Sequence, residues 1–298
     1  MRAFAWFLGL ILVGLAALAV FAYPAWLLLH PHFDFPFHRI GERIGMLVLL
    51  AGFLASAKHL HLNDRESLGY GCPRRAFLRE LSIGFALGVL SMLAVVGIMS
   101  ALGLLEWTPS ARHAAGALLR LTLMPLLSAL AVAFIEETLI RGAMLTAIER
   151  EAGAKTAVVL TAVVYAASHF FASFHIPAQQ VSAWSGLDLL TGTLHSFAHP
   201  LRLADAFLCL LAVGVVLGMI RVMTGHIAAC IGLHAGWVWV MLVAHELTAP
   251  LRTARLSFLL SDFDGFVGWL VLGWTILLGF ALRRFYARYA RGASTSSL

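Results

Sequence analysis

Charge is scarce in this sequence. Only 12% of its 298 residues are Asp, Glu, Lys or Arg, while 61% are hydrophobic and the mean hydropathy is +0.89. Soluble domains carry about a quarter charged residues, so the composition argues against a water-soluble globular fold. Paired cysteines are missing as well. Cys72, Cys209 and Cys230 form no CxxC or CxxH pattern, which gives no sign of a disulfide framework. Cys209 and Cys230 lie in apolar runs, where a free thiol behaves as a small hydrophobe. There is no internal repeat, no separate soluble domain and no basic stripe interleaved with aromatics. The formal net charge of +6 therefore does not point to nucleic acid. The basic residues gather at segment ends, where they set orientation and touch anionic headgroups.

What the chain has instead is apolar runs of about 20 residues, the length at which a helix crosses a hydrocarbon core. Runs and their breaks predict an all-α, polytopic membrane helix bundle of about eight spans, near 4–29, 41–59, 80–105, 116–149, 154–172, 203–222, 225–245 and 265–285. Residues 1–298 form one integral membrane domain. The first run, in MRAFAWFLGLILVGLAALAVFAYPAW, resembles a signal peptide but is too long for its apolar region, so an uncleaved first span is expected. The connection around 173–202 is the longest and has room for a short interfacial helix. With both termini inside, fourteen of the 21 Lys and Arg residues fall on the cytoplasmic side, against seven outside. That bias predicts cytoplasmic termini, and a bacterial inner membrane is the expected location.

An ionisable group inside a span costs several kcal/mol and is a functional hypothesis by default. Three places qualify. AFIEETLIRG, residues 133–142, holds Glu136, Glu137 and Arg141. On a helix Glu137 and Arg141 are four apart and share a face, so they can pair. Glu136 points about 100° away and has no partner on its own helix. Arg141 then keeps Glu137 ionised, and Glu136 keeps an adjustable pKa, as a general base requires. The competing reading is a buried polar cluster that locks helix packing.

His169, in VVYAASHF, is the second. The fourth and fifth spans form a hairpin turning near Ala152–Gly153, and Glu136 and His169 each lie 16 residues from that turn. At about 1.5 Å per residue both sit roughly 24 Å from it. A carboxylate and an imidazole at one depth can hold a water between them. The bland alternative is a lone core histidine. The third is His234, in GHIAACIGLHAGWVW, where Gly232, Ala235 and Gly236 allow close approach of a backbone or substrate.

EETLIRG, YAASH and the run GVVLGMIRVMTGHIAACIGLHAGW together resemble the three ordered motifs of the CPBP (CAAX protease and bacteriocin-processing, also called Abi) intramembrane proteases. Tyr165 stands where the second motif has Phe. The likeness covers about 120–240, within a family-like core at 116–245, leaving 1–115 and 246–298 as peripheral spans. It implies a peptidase without cofactor or metal that acts on a membrane-associated peptide or protein in the lipid bilayer. By that resemblance Glu136 and His169 activate water, His234 stabilises the oxyanion, Glu137 and Arg141 hold and tune Glu136, and Tyr165 supports them. The family usually has an asparagine four residues after the third-motif histidine, as a partner in oxyanion binding. Val238 stands at that position, and the only asparagine in the chain is Asn63. Another donor substitutes, turnover is slow, or the protein is a non-catalytic scaffold or immunity-type member.

Other readings of the same residues are a zinc site of Glu136, His169 and His234, opposed by the lack of HExxH, and a proton-coupled transporter, opposed by the lack of repeats. The remaining histidines have milder readings. His30, His32 and His38, with Asp34, suit a headgroup-level loop. His195 and His199 precede or flank Pro200 and suit an interfacial loop. His175 can line an entrance.

Overall fold

In the computed structural model, residues 1–33, 35–108, 115–170, 174–197 and 200–295 are described. Each of the eight apolar segments folds into a helix. They are α1 (Arg2–Leu29), α2 (Phe37–Ser56), α3 (Arg74–Ala101), the long segment beginning with α4 (Ala115–Glu137) and ending with α5 (Leu145–Ala152), then α6 (Ala154–Phe170), α8 (Pro200–Thr224), α9 (Ala228–Leu247) and α10 (Trp269–Thr295). A short helix, α7 (Ser185–Phe197), fills part of the long connection and packs on α1. Among the described residues, six helices are long and apolar enough to cross a membrane, and α6 is a shorter apolar helix. In α2, Arg39, Glu42 and Arg43 add charge to the first turns. The protein is thus an integral membrane helix bundle. Its small strand content is an antiparallel ribbon of β1 (Leu105–Trp107) and β2 (Thr248–Pro250), which follows α3 and α9 and ties their ends together.

The fourth predicted span is not one continuous α-helix. Residues Thr138–Met144 form a π-helical turn between α4 and α5. Such turns add a residue to the helical repeat and recur at functional sites. Here the turn begins directly after the two glutamates and contains Arg141. Gly153, with φ of +81°, reverses the chain into α6. Its N–H closes α5 on the Glu149 carbonyl, and a residue with a Cβ is strained in that backbone region.

Close approach of α3 and α9 depends on small residues. A methyl group added at Gly84 of α3 would lie 2.5 Å from the Ala229 carbonyl oxygen, and one at Gly236 of α9 would lie 2.6 Å from that of Phe85. Added methyls at Gly88 and Gly232 would collide with the facing backbone too. On the other side of α9, Ala133 of α4 packs with Ile227, Ile231 and Ala235. Residues 129, 133 and 137 of α4 recur every four positions and are all fully buried. Exposed Leu123, Met124, Leu127 and Phe134 cover the outer side of α4, where an apolar surface suits lipid.

Candidate active site

Gly232 and Gly236 fix one face of α9 against α3. His234, between them in sequence, points about 200° away by helical geometry and meets α4. There its Nδ1 lies 2.8 Å from Glu137 Oε1. The same oxygen accepts a hydrogen bond from Arg141 Nη1 at 2.9 Å. Glu137 and Arg141 are completely buried and His234 is 2% exposed. Arg141 also reaches across to α8, where Nη2 makes a long contact of 3.5 Å with the Gly214 carbonyl oxygen. Gly214 permits this because α8 packs tightly on α6, leaving 2.8 Å between an added methyl and the Ala162 Cα.

The guanidinium of Arg141 lies over the Tyr165 ring, 4.4 Å from its centroid. Tyr165 in turn packs edge-on to His169, at 4.5 Å between centroids, and to His234, at 6.0 Å. Arg141 and Tyr165 therefore fix the register of the hairpin. Glu137 lies four residues beyond Arg141 and His169 four residues beyond Tyr165, both moving away from the turn. That places the glutamate pair and His169 at similar depth on adjoining helices. The ring of His169 is oriented by a 2.8 Å contact of Nδ1 with the Tyr165 carbonyl oxygen. A carbonyl only accepts, so Nδ1 carries the proton and Nε2 of the neutral ring is left as an acceptor.

Glu136 differs from its neighbour. It is half-buried, yet its Oε2 is enclosed and has no hydrogen-bond partner. Of the eight such buried side-chain atoms among the described residues, three belong to this motif: Glu136 Oε2, Glu137 Oε2 and Arg141 Nε. Enclosed polar atoms are normally satisfied, so their concentration marks a place prepared for a polar visitor. Val238, one turn after His234, offers no hydrogen bond.

Five of the six residues singled out in the sequence are thus joined by direct contacts, and Glu136 adjoins them as the neighbour of Glu137. The Glu137–Arg141 pair follows from spacing, whereas the Glu137–His234 bond joins positions 97 residues apart and has no local signal. Two further contributors are Tyr70, whose hydroxyl lies 2.5 Å from Thr138 Oγ1 at the start of the π-helical turn, and Gly214. Tyr70 also lines an open cleft of about 910 Å³ with Asp64, Arg65, Cys72, Arg74 and Phe77. Among the described residues no group of three or more His, Cys, Asp or Glu side chains is arranged to hold a metal ion. His195 is exposed at the end of α7, and His199 and Asp34 lie outside the described residues.

A family model described as type II CAAX prenyl endopeptidase Rce1-like matches residues 118–240, the stretch that contributes Glu136 through Val238. Neither the curated proteins nor the solved structures give a match.

Proposed function

We propose that this chain, whose residues 118–240 match the Rce1-like type II CAAX prenyl endopeptidase model, is an intramembrane endopeptidase with Glu136 as the general base of a metal-free hydrolysis. The observation that carries this reading is the division of labour between adjacent carboxylates. Glu137 is occupied by Arg141 and His234, while Glu136 keeps an enclosed oxygen with no protein partner. A base must have a free oxygen within reach of its proton donor.

A water between Glu136 and His169 donates one proton toward Glu136 and the other, as a hydrogen bond, to His169 Nε2. Its oxygen attacks the scissile carbonyl carbon as Glu136 takes the first proton. The carbonyl oxygen becomes an oxyanion beside His234. Glu137 accepts the Nδ1–H of His234, and the protonated ring donates from Nε2 to the oxyanion. Collapse breaks the C–N bond, and the proton held by Glu136 passes to the leaving amine. Exclusion of bulk water strengthens each of these contacts.

The substrate in this reading is a membrane-associated peptide whose cleavage site reaches the level of Glu136, and a prenylated CAAX-type C-terminus is the first candidate. The termini of the protease face the cytoplasm of a bacterial cell, as the Lys and Arg bias supports. The test is hydrolysis of a fluorogenic farnesylated CAAX peptide and a panel of single-pass membrane proteins in liposomes. Wild type should cleave at least one, and Glu136→Gln, His169→Ala and His234→Ala should each lose most turnover. Cleavage unchanged in Glu136→Gln would remove the proposed base.

A further inference from the structure

The Tyr165 side chain is 3% exposed and is surrounded by the working groups of the site. Its ring touches Arg141, His169 and His234, and its hydroxyl lies within range of the charges of both Glu136 and Glu137. Yet the hydroxyl makes no hydrogen bond with any described residue. It is not among the fully enclosed atoms left without a partner, so it keeps some open surface from which to donate. Arg141 presents its plane to the ring, and His234 turns Nδ1 to Glu137.

The oxyanion in the proposed hydrolysis needs donors. With Nδ1–H directed at Glu137, His234 can donate from Nε2 only when protonated. Val238 occupies the position one turn further on α9 and donates nothing. We infer that the Tyr165 hydroxyl is a catalytic oxyanion donor, placed beside His234 by the Arg141 contact and acting in place of a donor at position 238.

Three features fit this role. The phenol donates whatever the protonation state of His234. The cation over its ring draws electron density from the phenol and strengthens the O–H as a donor. The ring cannot swing away, because Arg141, His169 and His234 enclose it on three sides. The inference rests on the proposed hydrolysis at Glu136, and the two can fail separately.

The experiment measures kcat and KM for wild type, Tyr165→Phe, Tyr165→Phe/Val238→Asn and Glu136→Gln on whichever panel substrate the wild type cleaves. Phenylalanine keeps the ring and its packing. Tyr165→Phe should lower kcat by about 10²–10³-fold, the usual effect of one oxyanion donor, with KM changed less than about threefold, since the donor acts in the transition state. Adding Val238→Asn should restore kcat at least about tenfold over Tyr165→Phe, even if the thermal midpoint of the single variant has dropped. A Tyr165→Phe enzyme within about threefold of wild type, or a loss that Val238→Asn does not repair, overturns the assignment. If Glu136→Gln remains active, or wild type cleaves nothing in the panel, the hydrolysis itself fails and the donor role fails with it.

Discussion

His234 Nδ1 and Glu137 Oε1, on helices 97 residues apart in sequence, are 2.8 Å from one another and share that oxygen with Arg141. In the proposed hydrolysis the second carboxylate of the motif orients His234, in the way a carboxylate fixes the imidazole of other hydrolytic sites. The two adjacent glutamates have different partners because they stand on different faces of one helix.

Removing one member of the buried ion pair should destabilise the protein strongly. Glu137→Gln leaves Arg141 charged and enclosed, and Arg141→Met does the same to Glu137. Each should cost about 3–5 kcal/mol, as breaking a buried pair does. The double variant Glu137→Gln/Arg141→Met should be less destabilised than the sum of the two. Thermal or denaturant unfolding in detergent measures this, and additive losses would mean the pair is not coupled.

The glycines between α3 and α9 should tolerate no side chain. Gly236→Ala should cost about 1–3 kcal/mol from overpacking and reduce activity, because it shifts α9 relative to α3 and disturbs the His234–Glu137 contact. Gly97→Ala, on α3 where an added methyl meets nothing within 4 Å, should be neutral or slightly stabilising. Comparing unfolding midpoints of the two variants checks this, and equal effects would contradict the packing account.

At the first turn of α2, ahead of the run predicted to start at residue 41 and not in the loop expected from sequence, the buried ring of His38 lies 4.0 Å from that of His175. Burial, and then the charges of His175 and Arg39, lower the pKa of His38 to about 4. Unfolded His titrates near 6.5, so between those values the unfolded chain binds more protons and stability falls as pH falls. The His38 contribution is complete above about pH 6.5 and is lost progressively toward pH 4. His38→Gln should flatten this part of the stability profile. A profile with the same slope from pH 6.5 to 4 in both proteins would show that His38 is not its source.

Much of the architecture was legible in sequence because membrane helices announce themselves by length and apolarity. Each of the eight runs corresponds to a helix, and the small-residue setting of His234 marked a close approach. The π-helical turn at Thr138–Met144 was not legible. Over seven residues its repeat differs too little from an α-helix for the apolar pattern of TLIRGAM to reveal it. The Glu137–Arg141 pair could be read from a four-residue spacing, but the bond from Glu137 to His234 depends on how α9 docks. That docking is set by glycine contacts with α3, on the opposite face of the helix. The position of Tyr165 among Arg141, His169 and His234 likewise arises only when the hairpin packs against α9. Sequence could name these residues without showing which of them touch.

The most direct measurement is single-turnover hydrolysis by purified, folded Glu136→Gln beside wild type, on a substrate that wild type cleaves. Glutamine keeps the size of the side chain and removes the base. The rate should fall by about 10²–10⁴-fold, the span of general-base catalysis, with the unfolding midpoint little changed. A Glu136→Gln protein that hydrolyses the substrate at the wild-type rate would contradict the role of Glu136 as the base.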